Sequence, residues 1–166
     1  MWRLVKLIIS IIALLASVAI APACMFFRDR FVDRKLSGAV TLNQEWLVLT
    51  PEEPLKVERD TQEITLYPDP PIKMIIDHNA KGGLVPADGR SATIEVELTD
   101  SKGVTYHSSP GVSETMTGDL EVITRSLNFK DLPKDAVFKT VRIKSSAAYP
   151  VKKVLWRCYN WAEVHK

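Results

Sequence analysis

The chain has little of the chemistry on which most enzymes depend. Its 166 residues include only three histidines and two cysteines. His78, His107 and His165 are too dispersed for a zinc signature, and neither a Cys-x-x-Cys pair nor a Gly-x-Ser-x-Gly elbow accompanies them. The densest polar triplet, Asp77-His78-Asn79, offers the best candidates for a hydrolase, but such a triplet is far more often a turn. The sequence therefore predicts a non-enzyme with no catalytic residues, no metal and no cofactor.

The chain also lacks a disulfide framework and an excess of charge. Cys24 lies in an apolar run, so the rest of the chain holds only Cys158 and cannot close an internal disulfide. Cys158 alternates with Val154 and Trp156, which predicts a small buried hydrophobe. Setting aside Arg3 and Lys6 leaves 20 basic and 20 acidic residues. This balance excludes a strongly basic nucleic-acid binder.

One long uncharged run is present, and it predicts a membrane anchor. Residues 7–27 form a stretch of 21 residues without a charge. A helix of that length reaches about 31 Å, close to the thickness of the hydrocarbon core of a bilayer. The apolar residues that we take as markers of this anchor are Leu7, Ile12, Leu15, Ile20, Phe26 and Phe27.

Two cleaved alternatives compete with a retained anchor. Ala21-Pro22-Ala23 resembles a signal-peptide cleavage site, and cleavage before Cys24 would give a lipoprotein with a lipid on Cys24. Apolarity continues through Phe27, which favours an uncleaved span. All three alternatives export the domain, although the count of Lys and Arg on either side of the run leaves the orientation nearly tied. We expect a single-pass protein of the bacterial inner membrane, with the C-terminal domain in the periplasm.

The rest of the chain is typical of an all-β domain. Residues 1–27 are the predicted anchor or signal segment, 28–38 a juxtamembrane linker with a possible helical extension to Leu36, and 39–166 a β-sandwich. Residues 93–98 alternate apolar and polar side chains, as a half-buried strand does. With similar patterns elsewhere, we expect about nine strands in an antiparallel sandwich. Their windows are 39–49, 55–58, 63–67, 72–76, 93–98, 104–106, 120–129, 137–144 and 151–159.

The last two windows resemble the closing strand pair of a jelly roll of the galactose-binding type. The resemblance rests on residues 138–144 and 151–156 and includes no diagnostic motif. It implies a jelly-roll-like fold and nothing about ligand residues, because one fold hosts many functions.

A basic cluster near the C-terminus is the best candidate for an interaction surface. If these two strands pair as neighbours, they gather Arg142, Lys144, Lys153 and Arg157 on one surface. Glu95 and Glu97 could instead lie opposite and cancel the positive charge, which is the favoured alternative. Among the aromatic side chains, core packing is expected for Trp46 and Trp156, whereas Tyr159 and Trp161 could contact a partner or cover one end of the sandwich. The predicted surface comprises Arg142, Lys144, Lys153, Arg157, Tyr159 and Trp161.

Two functions remain open. The first is an accessory or assembly subunit of a membrane complex, bound to the bilayer by its anchor and to other envelope proteins by its sandwich. The second is a membrane-tethered carbohydrate-binding module, for which exposed aromatic side chains would stack on a glycan. Residues 77–90 and 108–118 form long connections that could present a binding surface.

Overall fold

The fold is all-β. A computed structural model of the chain describes residues 30–77, 83–89, 92–109 and 112–164. The strands are β1 (Phe31–Ser37), β2 (Val40–Leu42), β3 (Leu47–Leu49), β4 (Leu55–Lys56), β5 (Thr61–Pro68), β6 (Ile72–Asp77), β7 (Gly83–Pro86), β8 (Ile94–Asp100), β9 (Thr105–His107), β10 (Ser113–Met116), β11 (Glu121–Phe129), β12 (Val137–Ser145) and β13 (Tyr149–Tyr159). One helical turn, α1 (Trp161–Val164), follows the last strand.

The strands form two antiparallel sheets. The larger sheet has eight strands in the order β1-β13-β5-β11-β6-β7, with β2 also paired to β13 and β10 to β11. The smaller has five strands in the order β3-β12-β8-β9, with β4 also paired to β12. The two sheets share one hydrophobic core, which gives a β-sandwich-like arrangement. The predicted all-β class and antiparallel sheets are confirmed.

Alternating side chains from both sheets build that core. Trp156 on β13 and Phe138 on β12 are both fully buried, and their ring centroids lie 5.9 Å apart. Ile94, Val96 and Leu98 point inward from β8, as their spacing predicted. The thiol of Cys158 is also buried in this cluster, which confirms its predicted role as a small hydrophobe. Full burial of a side chain such as Val, Leu, Ile or Phe stabilises the fold by roughly 1.5–3 kcal/mol.

Each predicted window contains strand, but the first window divides between the sheets. Within residues 39–49, β2 joins the eight-stranded sheet and β3 joins the five-stranded sheet. The chain crosses between them in a turn where the Asn43 Oδ1 accepts a hydrogen bond from the Glu45 amide at 2.8 Å. An Asn side chain that bonds the backbone two residues later is a common way to form such a turn.

The structure differs from the predicted linker at the start of the described chain. Residues Phe31–Ser37, expected as a connection with a helical extension, instead form the edge strand β1, which pairs with β13. Val32 and Leu36 alternate toward the core, and this period of two favours a strand. Within the described part of the chain, no helix has the length and apolarity needed to cross a bilayer. The predicted anchor, residues 1–27, lies outside the described residues.

The two ends of the sandwich carry different elements. We name as the lower end the one at which β1 begins, where Phe31 pairs with Tyr159 at the end of β13. The connection 130–136 between β11 and β12 lies at this end. The turn between β8 and β9 lies there too, because Lys102 Nζ approaches Asp135 Oδ2 at 3.3 Å. The upper end is the opposite one, where β11 and β8 begin and β12 stops.

Candidate interaction surfaces

The structure divides the predicted basic cluster between two sheets. Arg142 and Lys144 lie on β12 in the five-stranded sheet, whereas Lys153 and Arg157 lie on β13 in the eight-stranded sheet. Because their neighbours along each strand point into the shared core, these basic side chains lie on opposite outer faces of the sandwich. The predicted pairing of the last two strands is therefore wrong. The short connection after Ser145 crosses between the sheets instead of forming a hairpin.

On the five-stranded sheet, the positive charges are neutralised by acidic side chains of β8. Arg142 Nη1 lies 2.9 Å from Glu97 Oε2, and Lys144 Nζ lies 3.1 Å from Glu95 Oε2. These pairs follow the strand register, in which Arg142 is opposite Glu97 and Lys144 opposite Glu95. Glu97 and Glu95 therefore neutralise the half of the predicted cluster that lies on β12, and the other half lies on the other sheet. This face is a mixed ladder of charges.

Trp46 belongs to the same outer face and not to the core. Its ring is half-buried beneath two cations, with the Arg142 guanidinium 4.7 Å and the Lys144 ammonium 4.6 Å from the ring centroid. The expected core role of Trp46 is wrong, whereas that of Trp156 is confirmed. Trp46 lies just before the short strand β3, and its ring packs on the outer face against the charged ends of Arg142 and Lys144.

On the eight-stranded sheet, Arg157 is held by acidic and aromatic partners. Its Nε and Nη2 atoms donate to the Asp33 carboxylate at 2.7 and 2.8 Å, and Nη2 also donates to the Tyr67 hydroxyl at 3.3 Å. The guanidinium lies 4.9 Å from the centroid of the Phe31 ring. The Asp33 hydrogen bonds raise the pKa of the Arg157 guanidinium above its ordinary value. This side chain is engaged within the sandwich and has little freedom to contact a partner.

A buried carboxylate lies beside Arg157 on this face. Glu63 is only 5% exposed, and it accepts hydrogen bonds from Thr65 Oγ1 at 2.8 Å and from Ser126 Oγ at 3.0 Å. Arg157 Nη1 lies 3.8 Å away, so the buried negative charge has both hydrogen-bond donors and a cation nearby. A buried carboxylate needs such partners. We interpret this cluster as structural because each of these polar groups has a partner within the sheet.

The remaining residues of the predicted surface differ in how accessible they are to a partner. Tyr159 is buried and packs against Phe31 in a tilted arrangement with ring centroids 5.5 Å apart. Burial raises the pKa of the Tyr159 hydroxyl to about 12. Lys153 lies over the Tyr67 ring, 3.9 Å from its centroid. Trp161 alone among the predicted aromatic contacts is widely accessible, with 55% of its surface exposed.

Trp161 lies next to an open groove at the lower end. The groove has a volume of about 510 Å³, and its lining includes Asp60, Gln62, Lys130 and Lys134. The Trp161 amide donates to Asp60 Oδ1 at 2.9 Å, which holds the start of helix α1 against the groove. The lower end therefore combines an exposed indole with charged side chains of both signs.

The catalytic candidates gain no support from the described residues. His78 lies outside them, as does His165. His107 is exposed, with its Nδ1 atom 3.7 Å from Glu97 Oε1. Among the residues that the structure describes, no three His, Cys, Asp or Glu side chains are grouped in a way that could hold a metal ion.

A hairpin that the sequence patterns did not predict leaves the body of the sandwich. We name β6 and β7 the arm. Only Ile72 and Lys73 of β6 pair with β11, through its first two residues, and the rest of β6 pairs with β7. Because β11 begins there, the arm runs past the upper end of the sandwich. Within the described chain, β7 is the last strand of the sheet, so its outer edge is unpaired.

Apolar side chains are exposed on both faces of the arm. Ile76 and Leu84 lie opposite each other in the register and are 53% and 40% exposed. Ile75 points to the other face and is 45% exposed. The sequence placed β7 in a long connection, and the run Leu84-Val85 between Gly83 and Pro86 was its only strand signal. Ile76 and Leu84 therefore form a small exposed apolar pair on one face of the arm, and such a pair is a candidate contact for a partner.

Comparison with known proteins adds no functional assignment. No protein-family model matches the chain, and no curated protein resembles it significantly.

Proposed function

We propose that this chain is a non-catalytic, single-pass envelope protein whose exported, jelly-roll-like head contacts other proteins as an accessory or assembly subunit of a membrane complex. Residues 7–27 are its span in the bacterial inner membrane, and the head lies in the periplasm. The observation that carries the proposal is the arm, with Ile75, Ile76 and Leu84 exposed at the upper end of the sandwich.

The energetics of the arm support a protein partner. A side chain as large as Ile or Leu gains roughly 1.5–3 kcal/mol when it is fully buried. The three residues are each about half exposed, so a partner that covered them would gain on the order of 1 kcal/mol from each. A two-stranded hairpin is also only marginally stable in water, so a partner would stabilise the arm itself.

The free edge of β7 supports the same proposal. An unpaired strand edge offers a row of N–H and C=O groups that can pair with another chain. Strand addition to this edge would leave Leu84 packed against side chains of the added strand. The contact would therefore combine main-chain hydrogen bonds with apolar burial.

The experiment isolates the full-length chain from its native membranes with a mild detergent. Wild type should recover a partner at a fixed ratio, and the double variant Ile76→Ser, Leu84→Ser should lose most of it, because the apolar contact is removed. Val48→Ser is the control, since Val48 is about as exposed as Ile76 but lies on the other sheet. A chain isolated without partners, or a partner retained by the double variant, would contradict the proposal.

A carbohydrate-binding module is the second candidate. The exposed indole of Trp161 beside the lower groove favours it, because aromatic rings stack on sugars and Asp60 and Lys130 could bond hydroxyl groups. Glycan-array binding that is lost in Trp161→Ala and kept in Trp161→Phe would place this function first. Absence of glycan binding by the wild type would remove it.

A further inference from the structure

The lower end of the sandwich faces the membrane if the proposed span is correct. The predicted span ends at Phe27, and β1 begins at Phe31. Four residues of extended chain reach at most about 14 Å. The headgroup layer on each side of a bilayer is roughly 5–8 Å thick. The start of β1 is therefore tethered at or just above the lipid headgroups.

We propose that the lower end rests on the headgroups of the bilayer that holds the span, through Trp161 and the lysines around it. This inference rests on the proposed function, since it requires the span. The contact would fix the orientation of the head relative to the membrane.

The side chains at the lower end suit a lipid interface. Trp161 is widely exposed, and an indole with an apolar ring and a polar N–H is favoured at the headgroup level. Val104, in the turn between β8 and β9, is 48% exposed at the same end. Lys130 and Lys134 are exposed, and their stems can lie along apolar surface while the ammonium groups bond phosphates.

The contact between the rings of Phe31 and Tyr159 brings these residues close to the tether. Because only Asn160 separates Tyr159 from helix α1, Trp161 lies near the start of β1. A short tether keeps the local lipid concentration high, so contacts too weak to bind a separate molecule are sufficient. The lower end also carries the carboxylates of Asp60 and Asp131. We therefore expect its lysines to bind the phosphate and its carboxylates to bind the ammonium of zwitterionic headgroups, so that anionic lipid is not required.

This orientation would place the arm far from the membrane. Strand β11 runs from the upper end to the lower end over nine residues, which corresponds to about 30 Å. The arm begins beside the first residues of β11. With the lower end on the lipid, the exposed Ile76 and Leu84 would project into the aqueous compartment, where a protein partner can reach them.

The test uses the full-length chain in phosphatidylcholine vesicles that contain a lipid with a nitroxide on its headgroup. All variants carry Cys24→Ser, and Cys158 is buried, so a fluorescent label reacts at one introduced cysteine. Ser101→Cys reports on the lower end, and Glu45→Cys reports on the upper end. We expect several-fold stronger quenching at position 101 than at position 45. Equal quenching in protein that floats with the vesicles would overturn the contact and leave the span standing.

Two further measurements separate the possible failures. Protein that does not float with the vesicles would overturn the span, and with it the proposed function. Adding Trp161→Ala and Lys134→Glu to the Ser101→Cys reporter should lower its quenching to the level of the upper-end label. Adding Trp161→Phe alone should preserve the quenching. Unchanged quenching in the variant with Trp161→Ala and Lys134→Glu would show that these two side chains do not hold the lower end on the lipid.

Discussion

Arg157 and Asp33 lie 124 residues apart in the chain and are joined by two parallel hydrogen bonds of 2.7 and 2.8 Å. The pair connects the edge strand β1 to β13, directly above the ring of Phe31. It therefore links the edge strand nearest the proposed span to the adjacent strand of the larger sheet. Paired hydrogen bonds between Arg and a carboxylate are among the strongest side-chain contacts.

Removing the charge of Asp33 should destabilise the attachment of β1. Asp33→Asn keeps the shape of the side chain but loses one charge-assisted acceptor, and we expect the free energy of unfolding to fall by about 1–2 kcal/mol. Urea unfolding in detergent, followed by tryptophan fluorescence, measures this loss. Lys139→Gln, an exposed position on β12, should change it by less than about 0.5 kcal/mol. Equal effects of the two substitutions would contradict the role of the pair.

Truncating Phe138 should have the largest effect on stability. Its ring is fully buried between Tyr106, at a centroid distance of 5.6 Å, and Trp156. Phe138→Ala should cost about 3–5 kcal/mol, because it removes buried surface and leaves a cavity between the sheets. Val104→Ala is the control at an exposed position, and the same urea measurement should show almost no loss. A small cost for Phe138→Ala would show that the two sheets do not pack through this ring.

The contact of Trp46 with Arg142 should be measurable as a coupling. A double-mutant cycle of Trp46→Leu and Arg142→Met should give an interaction free energy of about 0.5–1 kcal/mol. The cycle is needed because Arg142 also pairs with Glu97, and each single substitution disturbs more than one contact. A cycle of Trp46→Leu with Lys139→Met should give no coupling. Additivity in the first cycle would contradict the cation–π contact.

Stability should decline at alkaline pH, in part because of Cys158. Burial raises the pKa of the Cys158 thiol from 9.0 to about 11, so the folded state keeps the proton that the unfolded state loses. This contribution is complete below pH 9.0 and is lost as the pH rises to about 11. Urea unfolding across this range should show a shallower decline for Cys158→Ala than for wild type. Val154→Ala, a neighbouring core truncation without a titratable group, should keep the wild-type slope. Identical slopes for the three proteins would contradict a buried thiol.

Local patterns of the sequence predicted strands well, but they could not predict which strands become neighbours. The alternation in β8, β12 and β13 reflects burial on one face, and each strand lies where its pattern indicated. Whether β12 and β13 pair depends on the path of a three-residue connection and on long-range packing, which period-two alternation does not encode. The basic surface was predicted from that pairing, and the structure accordingly divides it between two faces.

The missed features have short or ambiguous signals. Strand β7 has four residues, and its glycine and proline are typical of a turn. Strand β1 follows the apolar run, and its alternation was hidden by that context. Core packing is the more ordinary role of a tryptophan, whereas the position of Trp46 beside two cations depends on the register of β12 and β3. Trp161, which follows the last strand, is exposed, and its role as a contact remains a prediction.

The most direct test of the central claim places a photo-crosslinking amino acid at Ile76 of the full-length chain in its native membrane. After irradiation, we expect one discrete product of higher mass, because the arm contacts a defined protein partner. The same amino acid at Val48 should give no such product. No product from position 76, or the same products from both positions, would contradict a head that binds its partner through the arm.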